Sequence, residues 1–582
     1  MAKRLIPPGR RREPRAEFAI RGPFRIACGG ACVRAKEPAS PMKLPPRLRF
    51  VAVFGLLATA AASRSGAADL CQRLVKDKLP HPMTPLAKPA LGQSVIDPQF
   101  GTTLRRISAV APSGANPAIV PLYSTVSAWN ADESRLILYH VGVGHELYDG
   151  HTYRLIRTLD ITPADIEQVY WHTSDPDVLF YVNGNQLIRY HVASGLRDTV
   201  HTFQFCSSPV TGGNDPMFTS WDSNVIGLRC GNQLFTYRMD TNTIPAVRVS
   251  TLDAPQASAS GTMAFTGGYV MDPALNVLRQ LDLANPYEHA SLGRLASGHD
   301  TYNGVAFDSG PAGSGVGSLV TFDLTSGSSR VIVGPATGYP YPPSGTHVSA
   351  MAYRQPGWVF LSIVGDPAGP NVLDNELVLA DTNGGSVCRI GHHRSFGGNN
   401  TRLSDSYWAE PHVVASPSGT RALFGSDWGN GATVDTYVAE LPGYVPFQIA
   451  LSTDRPAYTV GSSLQASLSL TNAGVPAAPD LYLLVVLPDG DQVVDFTDWS
   501  FNQIQARLSS PASLRPIQRA VNLYQPFTVN LPDFLGWTWQ TSQTAGTYRL
   551  LMMTVRPGAL ADGRFDPGDV LAFGTASFTF TR

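Results

Sequence analysis

SAWNADESRLILYH, residues 127–140, sets a polar turn between two short apolar runs, and six more stretches up to Trp428 repeat that design. They are VYWHTSDPDVLFYV (from Val169), PMFTSWDSNVIGLRC (Pro216), GTMAFTGGYVMD (Gly261), NGVAFDSGPAGSGVGSLVTFD (Asn303), HVSAMAYRQPGWVFLSIV (His347) and HVVASPSGTRALFGSDW (His412). Several run on into a second hairpin, such as LIRYHVASG, LFTYRMDTN, SLVTFDLTSG or ELVLADTNGG. The starts are 42, 47, 45, 42, 44 and 65 residues apart. A period of about 40–50 residues carrying four short strands fits a propeller blade, whose sheet buries both faces only when neighbours stack on it. The repeat predicts an all-β chain with a seven-bladed β-propeller over residues 95–441. Closing the ring needs a terminal strand to complete the blade made by the other end, and GTTLRRISAV (101–110) is the expected closing strand.

After Leu441 the segment PGYVP ends the pattern. From Phe447 the texture becomes FQIALSTDRPAYTVGSSLQASLSLTNAG, LYLLVVLPDGDQVVDF, AGTYRLLMMTVRPGA and FGTASFTFTR, which are longer alternating strands joined by Pro, Gly and Asp turns. That pattern predicts an immunoglobulin-like β-sandwich over 447–582, an accessory module on the propeller. Within it, DGRFDPGD (Asp562, Asp566, Asp569) either holds Ca²⁺ through carboxylate oxygens or makes Asx turns at a strand end.

At 582 residues, 43% apolar and 15% charged, the chain is globular and long enough for more than one domain. Its 54 Gly and 46 Pro leave little room for helix, and a net charge of -1 gives no reason to expect a nucleic-acid partner. From Met42 to Cys71 the order is Lys43, Arg47 and Arg49, then an apolar run from Phe50 to Ala62, then small residues. This is the layout of a secretory signal (42–68), too short to span a bilayer, so a secreted or periplasmic product without stable membrane insertion is expected. Residues 1–41 then read as an upstream extension from a mis-assigned start codon, the alternative being a cytoplasmic extension on a signal anchor; 69–94 is a linker. Export permits disulfides. Cys206 and Cys230 flank one expected blade and could bridge, whereas Cys71 and Cys388 have no evident partner and a pair between them would be long-range.

Loops that lead into the innermost strands of a propeller converge on its axis, so residues just ahead of the repeated phrase are expected to meet. His299 in SGHDTYNG, His347 in SGTHVSAM and His412 in WAEPHVVASPSG sit there, and VCRIGHHRSFGGNN adds Cys388, His392 and His393 within the longest interval. Imidazole and thiolate are ligands for Zn²⁺ or another divalent metal, and four such groups would close a tetrahedral site. No CxxC or HExxH motif supports this, and hydrogen-bonded histidines that fix loops are the competing reading. Trp171, Trp358, Trp408 and Trp428 are either sugar-stacking surface or, for most of them, blade core. SGPAGSGVGS reads as a hairpin loop, and SPSG at Ser416 and DSGPAG at Ser309 as turns rather than a hydrolase elbow.

FGTTLRRIS, SGHDTYNG, THVSAMAYRQPGW, CRIGHHRS and YWAEPHVVASPSGTRALFGSDW resemble the propeller polysaccharide lyases, namely the oligogalacturonate lyases and more closely the ulvan lyase-like group, across about residues 95–441. The resemblance implies a metal held by His, sometimes with Cys, on late blades, carried here onto His299, His347, Cys388, His393 and His412. It also implies β-elimination on an anionic, uronic-acid-containing polysaccharide. That chemistry needs a cation to offset the carboxylate, a base for the C5 proton and an acid for the leaving oxygen. His145, His172, Arg229 and Tyr269 on early and middle blades are residues of the right type, each with a structural alternative. A non-catalytic propeller that binds a carbohydrate or protein and uses its metal structurally is the rival expectation.

Overall fold

The computed structural model describes residues 69–213, 219–283, 289–306, 317–339, 346–366, 369–475, 477–523, 527–565 and 569–582. The expected extension (1–41), the signal-like segment (42–68), the turn at Ser309, most of the Gly-rich loop and Asp566 lie outside them. Seven antiparallel sheets follow one another along the chain from Ile119 to Glu440. Their innermost strands are Ile119–Val120, Val169–Trp171, Val210–Thr211, Gln256–Ala257, Ala290–Arg294, His347–Ser349 and Val414–Ala415, opening blades one to seven. The repeat is thus a seven-bladed propeller.

Many middle strands of the blades are short, nearly continuous apolar runs because both faces are covered, whereas outer strands such as Arg197–Thr202 (RDTVHT) are exposed or half-buried. Val178–Asn183 (VLFYVN) and Trp358–Ile363 (WVFLSI) are buried along almost their whole length. Each hydrophobic cluster joins neighbours: Val305, Ile332, Val348 and Leu361 join blades five and six, and Phe360, Leu379, Phe424 and Tyr437 join six and seven. Trp129, Leu138, Leu423 and Val438 join seven to one, completing the ring. Trp171 and Trp358 belong to this core, each 5% exposed. Blades approach closely enough that a Cβ on Gly227 would meet the Pro255 carbonyl oxygen at 1.4 Å.

The ring closes as GTTLRRISAV suggests. Thr103–Arg106 pairs antiparallel with Asp435–Glu440 as the fourth strand of blade seven, and Ser94–Ile96 adds a fifth. Upstream of these strands, residues 71–88 lie against blades six and seven. Cys71 is disulfide-bonded to Cys388 and Val75 bridges Arg389, while the indole nitrogen of Trp428 donates to the Leu86 carbonyl. A second disulfide joins Cys206 and Cys230, fastening the loop that leads into blade three.

Two more sheets follow Pro446. One has three strands, Phe447–Thr453, Ser463–Asn472 and Phe527–Thr538; the other has six, with Val570–Thr581 and Gly546–Val555 near its centre. Rings from both interlock, with Trp537 against Phe578 at 5.7 Å and Trp539 stacked on Phe580 at 4.4 Å. Gly574 permits the approach, since a Cβ there would meet the Ile449 carbonyl oxygen at 2.3 Å. Asp562 accepts from the Arg564 amide in an Asx-type turn.

Candidate metal centre at the propeller axis

Every innermost strand starts at the same end of the propeller, here called the upper face. Second strands end there and third strands begin there, because neighbours within a blade are antiparallel. His289, His347 and His412 stand at or just before the first residue of the inner strands of blades five, six and seven. Serines hold these strands in register: the Ala350 amide donates to Ser291 Oγ at 3.0 Å and the Ala415 amide to Ser349 Oγ at 3.2 Å. Each serine lies two residues after a histidine, and each amide three residues after the histidine of the next blade, so the rings are brought side by side. His289 stacks on His347 and His347 meets His412 edge-on, both pairs at 4.2 Å between ring centroids.

Glu410, from the 393–413 excursion between blades six and seven, completes the group. Its Oε2 is 3.6 Å from His347 Nε2 and 3.8 Å from His412 Nε2. One ligand atom from each of these three residues lies within 4.8 Å of the other two. His412 Nε2 is buried and has no hydrogen-bond partner among the described residues. Its backbone is left-handed, with φ 42°, a conformation that costs a non-glycine residue about 1–3 kcal/mol and is held only when the surroundings require it. Burial, with His289 beside it, pushes the His412 imidazole down to about 3, and burial lowers His289 as well, so both rings are neutral at pH 7. Burial, with Asp405 nearby, pushes the Glu410 carboxyl up to about 7. Neutral imidazoles and a carboxylate that is costly to bury unpaired form a donor set that a divalent cation would satisfy.

Aromatic rings surround the cluster. Tyr123 comes from a break in the inner strand of blade one and lies 5.5 Å from His347 and 5.4 Å from His412. Tyr407 is 4.9 Å from His412, and its hydroxyl donates to Glu167 Oε1 at 3.0 Å. Burial and that carboxylate hold the Tyr407 phenol well above its ordinary range, so it keeps its proton. Trp408 stacks on Tyr139 at 6.1 Å, fixing the excursion over blade one.

Of the nine residues picked from the sequence, the structure brings two together, His347 and His412. His299 follows its inner strand and lies at the lower face, where Nδ1 meets Asp323 at 2.7 Å. Cys388 is in the disulfide with Cys71, so its sulfur is not a thiolate ligand. His393 follows the outermost strand of blade six, with Nε2 on the Ile363 carbonyl and Nδ1 accepting from the Ser395 amide. His172 follows its inner strand at the lower face, Nδ1 accepting from the amides of Ser174 and Asp175. His145 and Tyr269 begin third strands and Arg229 nears the end of a second strand, all at the upper face but away from the axis. His145 bonds the Ile166 carbonyl at 2.7 Å, Arg229 pairs with Asp253 at 3.0 Å, and Tyr269 packs beside Leu234 and Met271.

His289, Glu410, Tyr123, Tyr407 and Glu167 escaped sequence reasoning. For His289 a signal exists: EHASL (288–292) parallels THVSA (346–350) and PHVVA (411–415).

Fold and site together define a seven-bladed β-propeller with a histidine–carboxylate cluster where three blades meet at its axis. Among solved structures the chain is similar to an oligogalacturonate lyase in complex with manganese, at 14% identity over 64% of this chain and 99% of that one, with a TM-score of 0.44. It is also similar to the WD40 domain of Pan2 from Neurospora crassa, at 12% identity over 59% of this chain and 96% of that one, with a TM-score of 0.37. No protein-family profile and no curated protein matches the chain. Among the described residues no helix is long and apolar enough to cross a membrane.

Proposed function

We propose that the chain is a secreted, metal-dependent propeller enzyme that cleaves a uronic-acid-containing polysaccharide by β-elimination, with the C-terminal sheets forming an accessory β-sandwich. The observation that carries this reading is the His347–Glu410–His412 cluster at the axis, beside proton-carrying groups. His347, His412 and Glu410 would hold a divalent ion such as zinc or manganese, which when bound would supply a Lewis acid that offsets a uronate carboxylate and makes the C5 proton acidic. His289, the neutral imidazole next to them, is the base for that proton. The C5–H bonding pair forms the C4–C5 double bond as the C4–O bond breaks, and the Tyr407 hydroxyl, turning from Glu167 to the departing oxygen, protonates it. Two disulfides support an oxidising compartment.

One observation favours a non-catalytic binding propeller with a structural metal: His347 and His412 are 1% and 3% exposed. Against that, three protein ligands leave a coordination position open, as catalytic sites do and structural sites do not. The test is ultraviolet absorbance of unsaturated uronate during incubation with ulvan, pectate, alginate and glycosaminoglycans, alongside metal analysis of the same protein. Product from one polymer, lost in His412→Ala, establishes the enzyme. A flat trace across the panel from metal-loaded protein defeats it and leaves the binding propeller.

A further inference from the structure

A wide cleft lies away from the axis. It is about 690 Å³, between the strands that close blade seven and the C-terminal sheets, and its lining includes Arg73, Arg105, Glu440, Arg556 and Leu571. Arg105 and Glu440 neutralise one another at 2.6 Å. Arg73 donates to the Pro442 carbonyl, and among the described residues neither Arg73 nor Arg556 has a carboxylate partner. Two cationic forks therefore remain uncompensated in a concave surface. Along Val570–Thr581 the side chains alternate, the even positions Gly574, Phe578 and Phe580 being buried. Leu571 lines the cleft, and Phe573, on the same face of the strand, is 66% exposed. Phe573 stands one pleat beyond Leu571, so an exposed aromatic ring continues the apolar edge of the cleft along the same face of the strand.

We propose that this cleft is a second carbohydrate site, taking a saccharide that bears carboxylates: Arg73 and Arg556 receive the carboxylates and Phe573 lies against the apolar face of a pyranose ring. The ligand class rests on the uronate reading above; the site itself does not depend on the metal cluster. Its role is to hold polymer while the axis acts on it.

The test is calorimetric titration of the full chain with polygalacturonate in EDTA, which removes turnover, with dextran as the neutral control. Polygalacturonate is expected to bind and dextran not, with affinity falling as salt rises. Arg556→Ala and Phe573→Ala are each expected to weaken binding by at least about fivefold. Both side chains lie at the surface, and an unchanged melting temperature verifies that the variants fold. Binding that is unaltered in both variants, or absent in the wild type, overturns the site. Tight cleft-dependent binding in EDTA, with no cleavage of any polymer in the panel by metal-loaded protein, leaves this site standing and removes the lyase reading. Cleavage by protein whose affinity ignores both substitutions does the reverse.

Discussion

Beside the apolar cluster that joins blades seven and one, a buried arginine ties the two together. Arg421 of blade seven is fully buried, with a terminal nitrogen 2.6 Å from Glu133 Oε2 in blade one. Its other terminal nitrogen reaches the Gly150 carbonyl and, at 3.0 Å, the Tyr153 hydroxyl. The guanidinium lies over Trp129 at 4.7 Å and Tyr444 at 4.6 Å. Glu133 returns the contact by accepting from the Ser418 amide at 2.6 Å. Replacing Arg421 with Met strands the Glu133 carboxylate, which costs about 3–5 kcal/mol. At about 2.1 cal/mol/K per residue over roughly 350 propeller residues, unfolding entropy is ~0.7 kcal/mol/K, so a 4 kcal/mol loss lowers the propeller's Tm by about 5 °C. Burial works to raise the Glu133 carboxyl, but Arg421 and Ser418 outweigh it and the net direction is down. This stabilisation is therefore present above the ordinary glutamate pKa and lost as pH falls through the depressed one. Scanning calorimetry of Arg421→Met, Glu133→Gln and the double variant measures all of this. The double variant should recover at least about 2 kcal/mol relative to the sum of the singles. A single Arg421→Met within about 1 °C of wild type, or strict additivity, refutes the argument.

Three further outcomes are expected. His347→Ala or Glu410→Gln lowers divalent-metal affinity by more than the roughly 10–100-fold that an outer partner of a metal ligand is worth, read by competition with a chromogenic chelator. Cys71→Ser with Cys388→Ser costs about 2–5 kcal/mol in denaturant melts, under a loop-closure ceiling of about 6 kcal/mol for a sequence separation of 317 residues; a loss under about 1 kcal/mol would mean that the 71–88 segment holds without it. Burial pushes Asp495 up to about 7, outweighing the Arg515 amide on its Oδ2, and its Oδ1 has no hydrogen-bond partner among the described residues. A raised carboxyl stabilises the C-terminal sheets at low pH and loses that contribution between about pH 4 and 7, so Asp495→Asn should flatten a decline of up to about 4 kcal/mol in pH-dependent melts.

The blade count was legible because the period is a property of one blade and survives divergence, and the closing strand was legible because a ring has only one seam. The phase within a blade was not. In blades four and five the quoted copies, GTMAFTGGYVMD and NGVAFDSGPAGSGVGSLVTFD, belong to second and third strands, whereas the other copies belong to first and second. Both hairpins of a blade are two apolar runs around a polar turn, so a slip of one hairpin keeps the period while exchanging the faces of the propeller. That slip put His299 forward in place of His289. It also left the 65-residue interval to be assigned to VCRIGHHRSFGGNN, although Val387–His392 is a regular outer strand and the extra length is 393–413, which delivers Tyr407 and Glu410. Cys388 took a partner far away in sequence, which only the course of 71–88 could reveal.

Glu410 shows why the site itself resisted reading. A glutamate two residues before a histidine carries no local signal, and its closeness to His347 exists only because blades six and seven are neighbours. A cation held by His347, Glu410 and His412 would tie those blades together, so a higher Tm on adding zinc or manganese is expected whether the ion is structural or catalytic. Stabilisation therefore cannot separate the two roles, but His289 and Tyr407 can. Neither belongs to the three-ligand group, so Tyr407→Phe should leave metal affinity within about threefold of wild type, a difference under ~1 kcal/mol. Under the elimination chemistry the same variant should lose turnover by about 10²–10⁴-fold, the usual worth of a positioned acid. Loss of turnover with metal affinity kept assigns Tyr407 to proton transfer; parallel loss of both would make it a wall of the metal site.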